Sequence, residues 1–219
     1  MAAVDLHWLP LGAGGNGFVR RNGIAYERWV AWREHRPPQA LFHAALTAEL
    51  DGRTYAIEQG WPAPAGDPAT RGATVTGPVF FRSADRVRAL RYEVRCWQGG
   101  AIPDLDHSIG PAQRLTTQPD ATAQVIALTA RVPATTWGRR APGDHEMWNS
   151  NSAIAWILAS AGLDAQHISP PATGRAPGWV AGWEAAHRDD DAETPASEPR
   201  ARDSQVSEPD ASDQTGPLP

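Results

Sequence analysis

His43, Glu58 and Ser150 are the residues of this chain whose types and settings suit joint chemistry. A histidine on a strand, an acid on the next strand and a hydroxyl at a helix start make up the base, orienter and nucleophile of acyl transfer. Ser150 stands in the run Met147-Trp148-Asn149-Ser150-Asn151-Ser152, directly before the apolar Ala153-Ile154. A nucleophile at such a helix opening gains from the partial positive charge of unpaired backbone N–H groups. Those of Ser150 and Asn151 are the expected oxyanion donors. Trp148, Asn149, Asn151, Ser152 and Trp179 are expected to line the surrounding cleft, which would take a peptide or an acyl group. A hydroxyl, unlike a thiol, must lose its proton during attack, so Ser150 depends on His43. Each residue also has a plain structural use. Ser150 or Ser152 can cap a helix, worth about 1 kcal/mol; His43 can be a hydrogen-bonded core histidine; Glu58 can face solvent.

The elements that must position these groups are legible in part. Leu41 to Leu50 and Arg53 to Gly60 read as strands joined by Asp51-Gly52, a pair suited to a type I′ hairpin turn because both positions tolerate positive φ. A two-residue loop pairs Leu50 with Arg53 and, carried back, sets His43 opposite Gly60. His43 and Glu58 then share one face as diagonal neighbours, while Phe42, Leu46, Tyr55 and Ile57 share the core face. Further strands are expected at Ala73 to Phe81 and Arg86 to Trp97, with helices at Ala25 to Arg36, Asp120 to Arg131 and Ser152 to Ala161. Gly162 suits the residue just past the last of these. Strands grouped ahead of helices give an α+β class, an antiparallel sheet packed against helices.

Gly12, Gly14 and Gly17 match G-x-G-x-x-G. With no strand evident before it and a second glycine turn at Asn22-Gly23, the segment reads as a loop rather than a dinucleotide site. Asp104-Leu105-Asp106-His107 lacks the glycine and distal glutamate of a calcium loop. His145-Glu146, close in sequence to Ser150, is a candidate substitute base. No metal or cofactor is expected.

The 219 residues carry 20 basic and 25 acidic side chains, net −5. Residues 188–219 hold 3 Arg against 9 acids, so residues 1–187 hold 17 Arg against 16 acids and are close to neutral. The first 187 residues are expected to form one domain and the remainder an acidic disordered tail, since that segment has no aromatic residue with which to build a core; its partner is left open. Every basic residue is Arg, which excludes a Walker-type phosphate loop and a Schiff-base lysine. Cys96 is the single cysteine, so a disulfide framework and a cysteine zinc site are excluded and a cytoplasmic setting is expected. Neither an eighteen-residue apolar run nor a signal-peptide pattern is present, and Arg20-Arg21 and Arg139-Arg140 on a near-neutral body make no nucleic-acid footprint.

At two places the sequence resembles the circularly permuted branch of the papain-like, NlpC/P60-type superfamily, which includes lecithin–retinol acyltransferase-like and PPPDE-type proteins. Phe42-His43-Ala44-Ala45-Leu46 is similar to that family's histidine strand, and Asn149-Ser150-Asn151-Ser152-Ala153-Ile154 to its later nucleophile segment, with Ser150 where the family has cysteine. More narrowly, "MWNSNS" at Met147 to Ser152 and "PPATGRAPGW" at Pro170 to Trp179 resemble a group of actinobacterial proteins. The resemblance implies a permuted papain-like fold and a domain that has lost the catalytic cysteine, hence a non-catalytic or ligand-binding protein. The alternative it leaves open is a serine-dependent hydrolase or acyltransferase, acting on an amide or acyl ester with a Ser150/His43 pair.

Overall fold

A computed structural model describes residues 1–13, 17–62, 72–140 and 145–193. Its elements are β1 (Ala2–Pro10), α1 (Gly17–Arg33), β2 (Ala40–Leu50), β3 (Arg53–Gly60), β4 (Ala73–Pro78), β5 (Arg91–Gln98), β6 (Gln113–Thr116), α2 (Pro119–Leu128), α3 (Ser150–Ser160), β7 (Gly174–Arg175) and α4 (Trp179–Glu193). The sheet runs in the order β4-β5-β3-β2-β1-β6, antiparallel throughout, with the short β7 added parallel to β2. The fold is α+β.

The hairpin follows its turn chemistry. Asp51 and Gly52 both take positive φ, 52° and 73°, and Leu50 pairs with Arg53. The register holds back to Leu46 opposite Ile57 and stops there. Beyond that point β3 leaves β2 and stays with β5, as far as Gly60 opposite Glu93. The extrapolated pairing of His43 with Gly60 therefore does not form, and a notch opens in the sheet. β2 itself remains paired with β1 on its other side from Phe42 to Leu50.

The face of Phe42, Leu46 and Ile57 carries the main core with α3 and α2, including Ile154, Ile157, Leu158, Val125 and Leu128. A small second cluster of Leu9, Ala45, Ala56 and Ile102 lies apart from it. β1 is a central strand with both faces largely covered, which hides the alternation by which a half-exposed strand is read. Two further expectations are corrected. The glycine segment is not all loop, since α1 begins at Gly17; yet β1 and β2 are antiparallel, so β1, α1 and β2 do not form the parallel strand–helix–strand unit that binds a dinucleotide. And α4 continues to Glu193, six residues into the segment read as tail. Residues 194–219 lie outside the described residues. No described helix is long and apolar enough to cross a membrane.

Candidate active site

The site forms where β3 departs from β2. In a β-strand alternate residues turn their backbone N–H and C=O groups to the same side, and the even-numbered residues of β2 turn theirs toward β3. Past Leu46 that edge lacks its neighbour, and Asn151 replaces it. Its Oδ1 accepts the Ala44 N–H at 2.8 Å, and its Nδ2 donates to Phe42 O at 3.0 Å. Further along the same edge, β7 pairs with Ala40 and Leu41. The strand edge that β3 vacates is thus closed entirely by residues from the late half of the chain.

This docking places the start of α3 in the notch, and capping decides which hydroxyl is free. Asn149 is the N-cap: its Oδ1 accepts the Asn151 N–H at 2.8 Å. Ser152 completes a capping box by accepting the Asn149 N–H at 3.0 Å, and its hydroxyl donates to Gly178 O at 2.7 Å. Ser152 therefore has the structural use and Ser150 does not. Ser150, in the first turn, instead lies with Oγ 2.8 Å from Nδ1 of His43.

Ser150 is only 6% exposed and His43 is partly buried. Burial pushes the imidazole down to about 4, below its ordinary value near 6.5. At neutral pH the ring is uncharged, and with its proton on Nε2 it presents Nδ1 as acceptor to the Ser150 hydroxyl.

The other expected members are placed differently. Glu58 faces Arg95 directly across β3 and β5, and its Oε1 accepts from Arg95 Nη1 at 3.0 Å. Arg95 also donates to Glu93 Oε2 and to Trp61 O. A guanidinium on the adjoining strand, held by three acceptors, takes the carboxylate that was expected to orient His43. The Asn151 N–H, expected as an oxyanion donor, is spent on the Asn149 cap. Trp148 is 2% exposed and belongs to the core. Trp179 is likewise buried; its Nε1 donates to Ala165 O at 2.9 Å and its ring lies 5.2 Å from that of Trp8. Neither tryptophan presents a face to a cleft. His145 pairs with Glu184 at 2.7 Å, and Glu146 caps α4 by accepting the Gly178 N–H, so neither stands in as the base. Among the described residues no group of three His, Cys, Asp or Glu is placed to hold a metal ion.

Sequence reading missed the clasp that ties the two motif stretches together. Pro177 O accepts from both Asn149 Nδ2 and Asn151 Nδ2, at 2.8 and 2.9 Å. Gly178 adopts φ +86°, and a Cβ there would collide with the Asn149 amide; one on Gly182 would collide with Ser152 O. These are close approaches that only glycine allows. The spacing of small residues in "APGWVAG" is the signal that marks them. No protein-family model, curated protein or solved structure matches the chain.

Proposed function

We infer that the chain is a serine-dependent hydrolase or acyltransferase on a permuted papain-like scaffold, acting on an amide or acyl ester. The observation that carries this reading is the 2.8 Å approach of Ser150 Oγ to His43 Nδ1 across 107 positions of sequence, with the helix capped by its neighbours instead. In the reaction, the Ser150 O–H bond breaks as Oγ bonds to the acyl carbon, and the proton passes to Nδ1. The resulting imidazolium returns it to the leaving amine or alcohol, leaving an acyl-serine; water or an acceptor alcohol, deprotonated by the same nitrogen, then bonds to the acyl carbon, and as the bond from that carbon to Oγ breaks the imidazolium returns the proton to Ser150 Oγ. The backbone N–H of Ser150 is the oxyanion donor remaining at the helix mouth. A base with so low a proton affinity takes a proton with less driving force, so turnover is slow.

A second reading is the non-catalytic module, a cleft that holds a peptide or acyl group without turnover. It is favoured by the commitment of Glu58 to Arg95 and of the Asn151 N–H to the cap, which removes the groups expected to steady the imidazolium and the oxyanion. One experiment divides the two. A fluorophosphonate probe labels the wild-type chain at Ser150 if the enzyme reading holds, fails on Ser150→Ala, and slows on the order of 10²–10⁴-fold with His43→Ala. No labelling of wild type, or equal labelling of Ser150→Ala, rejects it.

A further inference from the structure

Helix α1 turns toward solvent a face on which large aromatic side chains stand among arginines. Arg21, Ala25, Arg28 and Trp32 follow one another at steps of three or four residues and so form one line along the helix. Arg20 and Ile24 flank that line on one side, Trp29 and Arg33 on the other. All are exposed, Trp32 to 74% and Trp29 to 52%, and the Arg33 guanidinium lies 5.1 Å from the centre of the Trp29 ring. The acids nearest in sequence do not offset the four arginines. Glu27 points inward, where it binds Arg36 and the Gln39 N–H; Glu34 is bonded to Arg36. Along the helix edge a cavity of about 310 Å³ is lined by Arg20, Ile24, Arg28, Pro38 and Leu41, together with Glu27, whose carboxylate is held by Arg36. Large aromatic rings beside unneutralised guanidinium groups suit an anionic chain that also carries apolar residues.

The chain itself contains such a segment. Residues 194–219 hold Glu198, Asp203, Glu208, Asp210 and Asp213 against Arg200 and Arg202, with Val206 and prolines interspersed. It is long enough to reach. The start of α4 lies on the α1 side of the molecule: Glu146, which caps α4, and Arg175 both act on Tyr26 of α1, and Arg175 lies 3.6 Å from Glu27. Even were α4 to carry Glu193 its full length of about 21 Å straight away from there, residues 194–208, which span up to ~50 Å when extended, are long enough to return.

We propose that residues 198–213 dock along the outer face of α1 in the same molecule, setting their carboxylates on Arg20, Arg21, Arg28 and Arg33 and their apolar residues against Trp29 and Trp32. The contact is electrostatic and exposed, so salt weakens it. It is tested in the full-length chain with a fluorescently labelled peptide of residues 198–213, read by anisotropy. A variant whose five acids are neutralised (E198Q, D203N, E208Q, D210N, D213N) leaves α1 open and binds the peptide. Wild type binds it at least ~10-fold more weakly, because its own segment competes at high effective concentration. Adding R21E and R28E to the neutralised variant abolishes binding; R21Q with R28Q serves if charge reversal lowers the far-UV circular dichroism. Equal affinity for wild type and the neutralised variant, or binding indifferent to the arginine changes, overturns the proposal. A concentration-dependent dimer in wild type that the neutralised variant lacks also overturns it, because the segment then binds a second copy.

Discussion

Asn151 stands to Ala44 as a neighbouring strand would, with Oδ1 accepting its N–H at 2.8 Å from 107 positions away in sequence. One carboxamide thereby closes a strand edge and registers the helix that carries Ser150 against the strand that carries His43. The hydroxyl and the imidazole meet because the residue after the one and the residue after the other are bonded together.

Replacing Asn151 with alanine strips the bonds to Ala44 N, Phe42 O and Pro177 O at once. Two buried backbone groups of β2 lose their partners, so urea denaturation shows a loss of about 2–4 kcal/mol. An Asn151→Ala variant as stable as wild type would remove the amide from the architecture of the site.

Two glycines with similar backbone angles separate strain from crowding. Gly52, at φ +73° with open space around it, loses about 1 kcal/mol on change to alanine. Gly178, at φ +86° with the Asn149 amide in the way, loses more, about 2–3 kcal/mol, and its labelling at Ser150 drops although the substitution is remote in sequence. Thermal unfolding of the pair, with probe labelling, reads both effects.

The low proton affinity of His43 has consequences of known sign. Its conjugate acid titrates at about 4 in the folded chain and near 6.5 when unfolded, so between those limits the unfolded chain binds a proton that the folded chain refuses. Stability therefore falls as pH falls through this window, by on the order of 3 kcal/mol in total. Burial of His7 acts in the same direction. A His43→Gln variant shows a shallower loss from pH 7 to 4 in chemical denaturation. Labelling of wild-type Ser150 stays level from neutral pH down to about 5 and declines toward 4; a decline centred near 6.5 would contradict the buried imidazole.

Gly60 ends β3 beside the notch, and a Cβ built on it meets nothing within 4 Å. The first carbon of a Gly60→Leu side chain therefore has room without displacing described protein atoms. Folding stability shifts by less than about 0.5 kcal/mol while labelling of Ser150 slows, if that space is where an acyl group enters. Unchanged labelling would put the entrance elsewhere.

The hairpin was readable because it rests on a local signal, its turn dipeptide; the approach of His43 to Ser150, across 107 positions, was expected only from the order in which the histidine strand and the serine-opened helix follow one another. What escaped was decided by neighbours that sequence does not name. Glu58 sits on the expected strand, but Arg95 reaches it from β5, whose register with β3 is fixed by long-range pairing. Ser150 and Ser152 are equivalent as text; the Asn149 cap and the nearness of Gly178 assign one to structure and leave the other to His43. Trp148 and Trp179 were expected at a cleft as the tryptophans nearest the expected site, whereas their burial is set by packing against the sheet and Trp8. β1 was passed over since a strand covered on both sides loses its alternation.

The notch in the sheet also orders events during synthesis. When β2 and β3 have left the ribosome, the N–H of Ala44 and the carbonyl of Phe42 lack the partner they have in the finished fold, and they stay so until about ninety further residues have been added. The clasp at Pro177 and Gly178 arrives later still. A nascent chain halted before Ser150 carries the histidine without its hydroxyl partner, and one halted between Ser150 and Pro177 carries both without the clasp that holds Asn149, Asn151 and Ser152.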